Sequence, residues 1–273
     1  SSRPHLTWVA NNTFSAPGRV GTLFLVYQSD ATNLVADDTN GATDIFRTAV
    51  DLVADASGNL NLVVNGNATL VSAVNGATTI SDGASTMVSV GGMSGNMVAF
   101  QSLSTNLVAG FTDGNPGSEA DIYARNLDNN TTELLSHEDG NLAISGNAGS
   151  TAPAIDATGR GVAFESDATN LLTGDTNAVR DVFYADVSAG TGPYTKSRAS
   201  VTNAGGEGTG GASGDASIYV SGGNRTLVTF ESAKTDLAPS LTAMSNVYVF
   251  DSASGNTTLL NQLLSSKTTA IGD

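Results

Sequence analysis

Three segments of the chain carry a similarly spaced set of oxygen-bearing side chains: Asp38, Asn40 and Asp44; Asp113, Asn115 and Asp121; Asp175, Asn177 and Asp181. Carboxylate and amide oxygens are the ligands that hard cations take, so calcium is the candidate cofactor and these loops are the candidate metal sites. None of them matches the helix-flanked calcium loop with its terminal Glu. A fourth segment, Leu241 to Asn246, has lost its charge. The competing reading is architectural: Asp44, Asp121 and Asp181 accept hydrogen bonds that fix a loop where it enters a strand. On either reading these residues stabilise loops and perform no reaction.

Other chemistry-bearing residues do not assemble into a reaction. Glu165 and Glu231 resemble the paired carboxylates of a glycosidase. The same slot elsewhere holds Gln28 and Gln101, which cannot act as acid or nucleophile, so the slot reads as architectural. The two histidines, His5 and His137, adjoin no nucleophile motif. Gly206, Gly208 and Gly211 have dinucleotide-fingerprint spacing but no helical pattern follows. Arg160, Arg180, Lys196 and Arg198 cluster in one stretch, where salt bridges to neighbouring carboxylates are a simpler expectation than an anion site. Catalytic residues are therefore expected to be none.

The slots that make this comparison possible come from a phrase written four times. It reads Tyr27-Gln28-Ser29 with Asn33-Leu34, Phe100-Gln101-Ser102 with Asn106-Leu107, Phe164-Glu165-Ser166 with Asn170-Leu171, and Phe230-Glu231-Ser232 with Asp236-Leu237. Downstream of each follows a β-branched and aromatic pair: Ile45-Phe46, Ile122-Tyr123, Val182-Phe183 and Val247-Tyr248. Such pairs suit a pleated, half-buried strand. The chain is an array of similar units, approximately 1–80, 81–146, 147–210 and 211–273, forming a single domain.

In the third unit the pattern predicts strands at Ala152 to Asp156, Gly161 to Ser166, Asp181 to Asp186 and Ser197 to Thr202, with a hairpin over Asp156 to Arg160. No sustained helical spacing occurs and the 31 glycines punctuate every unit. The expected fold is an all-β propeller of about four four-stranded blades, either closed or an excerpt of a longer ring. His5 to Ala10 is expected to pair beside the last unit and latch the ring.

The Val-Ala-Phe-Glu-Ser strand and the Asp-Val-Phe or Asp-Ile-Phe strand resemble the TolB-type propeller repeat, a relative of the WD-type blade. Gly161 to Ser166 and Asp181 to Phe183 carry the best match, with Met97 to Ser102 and Asp121 to Tyr123 next. The chain departs from that repeat by a loop, such as Ala168 to Arg180, between second and third strands. The resemblance implies a fold and almost nothing specific about activity.

With 26 acidic residues against 11 basic ones, the formal charge of −15 would repel a nucleic-acid backbone or an anionic membrane. No apolar run approaches the length of a membrane helix. The absence of cysteine excludes disulfides and thiolate metal sites. The low Lys and Arg content, with abundant Gly, Asn, Ser and Thr, reads as an extracellular or periplasmic bacterial protein. The functional expectation is a non-catalytic binding or scaffold propeller with a protein or glycan partner. Alternatives are a polysaccharide lyase or glycoside hydrolase at a central channel, and a structural assembly protein that self-associates.

Overall fold

A computed structural model describes residues 5–9, 18–92, 95–115, 119–223, 225–238 and 245–261. Four antiparallel sheets of four strands follow one another, each a meander in chain order. The first holds β1 (His5–Val9), β2 (Arg19–Ser29), β3 (Asp44–Ala54) and β4 (Leu60–Leu70). The second holds β5 (Ser85–Gly91), β6 (Met97–Ser102), β7 (Asp121–Asn126) and β8 (Thr131–Leu134). The third holds β9 (Ser150–Ile155), β10 (Gly161–Ser166), β11 (Asp181–Asp186) and β12 (Thr195–Arg198). The fourth holds β13 (Gly210–Val220), β14 (Thr226–Lys234), β15 (Asn246–Asp251) and β16 (Asn256–Leu259).

The all-β expectation holds, and the sheets adopt a blade-type arrangement. The leading strands β1, β5, β9 and β13 adjoin one another in succession, and each of the last three packs on the second and third strands of the preceding sheet. Among the described residues no comparably packed pair of strands joins the fourth sheet to the first, so the arc is open. The expected latch is corrected: His5–Val9 pairs with β2 of its own sheet, from His5 opposite Val26 to Val9 opposite Thr22. An eleven-residue β2 would otherwise leave a row of unpaired backbone groups on that edge. Ala10 lies outside the described residues.

The repeated phrase acquires a physical meaning residue by residue. Its aromatic stacks across the strand pair on the downstream aromatic: Tyr27 on Phe46, Phe100 on Tyr123, Phe164 on Phe183 and Phe230 on Tyr248, with centroids 5.7 to 6.0 Å apart. In the second, third and fourth sheets the aromatic face receives the smaller apolar face of the sheet before it. Val26, Ile45 and Val71 cover Phe100 and Tyr123. Ala99, Ile122 and Leu135 cover Phe164 and Phe183. Ala163, Val182 and Ala199 cover Phe230 and Tyr248. Burying one such aromatic is worth roughly 1.5–3 kcal/mol, against about 1 kcal/mol or less for a surface ion pair. Apolar interdigitation therefore holds this strongly acidic chain together.

The Gln or Glu of the phrase stitches each sheet to the next. Gln28 Oε1 accepts from the Met87 amide at 3.2 Å, Gln101 Oε1 from the Thr151 hydroxyl at 2.8 Å, and Glu165 Oε1 from the Asp215 amide at 2.8 Å. At these places β5, β9 and β13 bulge, and Met87, Ala152 and Asp215 take φ near +50°. A non-glycine residue avoids that region unless its surroundings compensate. At Met87 and Asp215 the residue's own amide makes the cross-sheet hydrogen bond that compensates, and beside Ala152 the Thr151 hydroxyl makes it. The Ser of the phrase ties the leading strand in hydroxyl pairs, Ser85 with Ser102, Ser150 with Ser166 and Ser213 with Ser232. The Asn or Asp caps the preceding connector: Asn106 accepts from the Asp82 amide, Asn170 from Asn147 and Asp236 from Thr209.

The turns of the second and third sheets meet almost without clearance. The expected hairpin over Asp156–Arg160 forms, with the Asp156 carboxylate accepting the amides of Thr158, Arg160 and Gly161. A Cβ on Gly91 would lie 2.3 Å from the Asp156 carbonyl oxygen and 2.9 Å from Gly159 Cα. Gly91→Ala should force these turns apart and cost roughly 1–3 kcal/mol in urea unfolding. Gly222→Ala, with nothing within 4 Å of its added methyl, should change stability by less than about 0.5 kcal/mol. Equal stabilities for the two variants would refute the close approach.

Candidate functional site

At the start of the third strand of three sheets stands a buried aspartate: Asp44, Asp121 and Asp181, at most 3% exposed. Each accepts a hydrogen bond from a serine just beyond the fourth strand, Ser72 to Asp44 at 2.7 Å, Ser136 to Asp121 at 2.9 Å, and Ser200 to Asp181. Each serine oxygen in turn accepts the next backbone amide of the third strand, from Ile45, Ile122 and Val182. The carboxylate thus polarises a hydroxyl that closes the last rung of the sheet. In the fourth sheet Asn246 occupies the slot and accepts from Asn261 at 2.9 Å.

The loop residues expected beside them divide by role. Asn40 donates to Asp44 at 2.9 Å and also accepts the Ala42 amide. Asn115 is spent on Glu119 of its own loop, while Asn177 accepts the Val179 amide of its loop and donates to the Gly208 carbonyl in the connector to the fourth sheet. Asp113 accepts the Asn115 amide at 3.0 Å. Among the described residues the buried oxygens Asp38 Oδ1 and Asp175 Oδ1 and Oδ2 make no hydrogen bond, Asp175 Oδ1 facing Arg198 at ion-pair distance. Burial pushes Asp44 up despite its donors, with the Asp38 charge adding to the rise. It pushes Asp121 up to about 7, helped by the Asp113 charge.

Among the described residues only the third sheet converts this pairing into a larger cluster. Asp175, Asp181 and Glu207 each bring a carboxylate oxygen within 4.8 Å of the others. Arg198 Nη1 sits among them, 3.5 Å from Asp175, 3.5 Å from Asp181 and 3.2 Å from Glu207. Lys234, wholly buried, reaches across from β14 to ion-pair with Asp181. Three carboxylates facing two cations leave one excess negative charge. Consistent with that, Asp175 is pushed up to about 7, by burial first and then by the adjoining Glu207 and Asp181. Glu207 is raised by burial, but donors from Thr176 and Asn177 outweigh this and hold it down to about 2.

The oxygen set suits a hard cation, but here Arg198 stands where the ion would sit, and a divalent metal would have to displace it. Around Asp38 with Asp44, and Asp113 with Asp121, no Lys or Arg ion pair is found among the described residues. These two pairs keep the better ligand character, with Asp38 Oδ1 unpartnered.

Beside the third-sheet cluster lies a cleft of about 470 Å³ lined by Asp139, Thr173, Lys196, Arg198, Gly205 and Phe250. Lys196 Nζ stands 2.8 Å from His137 Nδ1. Burial lowers Lys196 to about 8, and burial followed by the Lys196 charge lowers His137. Of the basic stretch, Arg180 pairs with Asp167 and Glu165 and Arg198 with the cluster, so salt bridging accounts for both. Sequence reasoning missed Glu207, which lies in a glycine-rich stretch without a motif. Lys234 was detectable as the odd one out in a slot that otherwise holds Ala31, Ser104 and Ala168.

No family model and no curated protein matches this chain. Among solved structures, a TolB-type protein from Agrobacterium tumefaciens is 13% identical with a TM-score of 0.38, over 86% of this chain and 60% of that one. A thermostable family-43 glycoside hydrolase is 12% identical with a TM-score of 0.38, over 94% of this chain and 73% of that one. A family-43 arabinoxylan arabinofuranohydrolase from Bacillus subtilis, in complex with cellotetraose, is 11% identical with a TM-score of 0.34, over 93% and 48%. The chain thus spans about 60% of the TolB-type structure's length. Likeness at this level concerns the fold alone, and no residue role is taken from it.

A carboxyl held near 7 keeps a proton in the folded protein that the unfolded chain loses near the ordinary aspartate value of 3.8. The stability tied to Asp121 is therefore full at low pH, falls as pH rises between about 4 and 7, and levels off above. Asp121→Asn, the amide the fourth sheet already uses, should remove that slope. The variant should gain on the native protein as pH rises from about 4 to 7, by on the order of 4 kcal/mol at the top. Parallel pH profiles in chemical unfolding would contradict this.

Proposed function

We propose that this chain is a non-catalytic binding or scaffold propeller of an exported bacterial protein, presenting the loop end of its sheets to a protein or glycan partner. The observation that carries this reading is the commitment of the chemically capable side chains to architecture. Asp44, Asp121 and Asp181 each close their own sheet through a serine, and Glu165 holds the neighbouring sheet. The cleft with Asp139, Lys196 and Phe250 is open to solvent, and its donors, acceptors and apolar wall suit recognition. Rigid sheets holding variable loops are the usual platform for it.

Purified chain incubated with arabinoxylan or cello-oligosaccharides should release no new reducing ends, and sustained turnover would replace this reading by the carbohydrate-active one. Binding to immobilised polysaccharides or envelope proteins should disappear when the Thr173–Arg180 loop is exchanged for a Gly-Ser loop. Retention of all binding after that exchange would move the surface elsewhere.

Calcium on this reading is a loop stabiliser held by Asp38 with Asp44 and by Asp113 with Asp121. Millimolar calcium should then raise the melting temperature of metal-stripped protein, and Asp38→Asn should blunt the rise. An unchanged melting temperature after chelation would remove calcium from the account.

A further inference from the structure

Among the described residues one ion pair has both side chains wholly buried, and it joins two sheets: Lys234, at the end of β14, touches Asp181 at the start of β11. The lysine stem runs past Gly208, where a Cβ would lie 2.8 Å from Lys234 Cδ. On the carboxylate, the Ser200 hydroxyl donates to the same Oδ1 that meets Lys234 Nζ. The second oxygen, Oδ2, makes no hydrogen bond among the described residues and faces Arg198 Nη1 at 3.5 Å. An amine and a carboxyl are thus held in contact, with a cation beside the free oxygen.

The repeated frame does not call for this lysine. The positions two beyond the phrase's Ser in the other units hold Ala31, Ser104 and Ala168. Asp44 and Asp121 lie equally buried, with no Lys or Arg ion pair among the described residues. Desolvating two opposite charges costs much of what their attraction returns. A neutral link made from the same atoms removes that cost.

We propose that Lys234 and Asp181 condense to an isopeptide bond that joins the third and fourth sheets covalently. The lysine ammonium first passes a proton to Asp181 Oδ1, which replaces the ion pair by a neutral amine and a carboxylic acid, the forms that a desolvated site favours. The Nζ lone pair then forms a bond to Asp181 Cγ, and the electron pair displaced from the carbonyl gathers on Oδ2, facing Arg198. Collapse of this tetrahedral adduct breaks the Cγ–Oδ1 bond. Oδ1 leaves as water with the proton it already carries and a second one from Nζ, so one amide N–H remains and no oxidant, reductant or activating group is consumed. Well-oriented intramolecular pairs react with effective molarities on the order of 10⁵–10⁸ M, which is what a packed stem and a fixed carboxylate provide. The bond would tie residues 53 positions apart in a chain that has no cysteine for a disulfide. The inference is independent of what the cleft binds.

Intact-mass spectrometry of the full chain, unfolded in acid after purification, should give the sequence mass less one water. Proteolysis and fragmentation should then yield a branched peptide in which the Asp181 side chain is joined to Lys234. Lys234→Arg keeps the charge without the amine, and Asp181→Ala removes the carboxyl, so each should show its full sequence mass. Lys234→Arg should also migrate more slowly than the native chain in denaturing electrophoresis, because its loop is open. A native chain of full sequence mass would overturn the proposal whether or not either variant folds. So would a water loss that Lys234→Arg retains, or one that maps to an Asp-Gly step such as Asp82-Gly83.

Discussion

A four-stranded sheet has two faces, and an apolar face left in water forfeits the main source of folding free energy. In this chain that constraint is met by alternation: every sheet has one face of stacked aromatics and one of small or β-branched residues, and unlike faces meet. The remaining architecture follows from keeping those faces in register. Bulged leading strands turn a hydrogen-bond donor toward the preceding sheet, and a Gln or Glu there accepts it. With no disulfide available and a large excess of acidic residues, packing and neutral hydrogen bonds carry what ion pairs cannot.

The acidic residues are placed under the same constraint. Asp44, Asp121 and Asp181 are buried because the ends of their third strands are buried, and each is tolerable there because a serine donates to it. The third sheet departs by recruiting Glu207, Arg198 and Lys234, so that a repeated architectural position becomes a charged cluster next to a cleft. Repetition builds the frame, and departure from repetition marks where the frame is put to other use. Phe111 and Tyr194, aromatics without a counterpart in the other units, also serve the frame, since both pack into the junctions.

Much of the frame was legible in the chain. Two of the third unit's strands, Gly161–Ser166 and Asp181–Asp186, fall where alternation and turn residues put them, and the other two begin two residues earlier and end one and four residues earlier. Edges drift because outer strands are held by few contacts and their ends are set by neighbours. The pairing of His5–Val9 was misjudged because a short strand without a clear partner pattern can satisfy any free edge. Of the expected oxygen ligands, Asn40 meets Asp44 and Asp175 meets Asp181, while Asn115 turns to its own loop and Asn177 to its loop and the Gly208 carbonyl. Residue type alone cannot say which way a loop amide turns.

By itself the sequence determined the class of fold, the number of units and the residues equivalent between them, because periodic burial and turn chemistry are written locally. Tertiary structure alone decided which carboxylates meet, and that Arg198 and Lys234 ion-pair with one cluster and, among the described residues, not with the others. The reason is that charge pairing and sheet-to-sheet contact join residues tens of positions apart. Their energies depend on distances and burial that no local pattern of letters encodes.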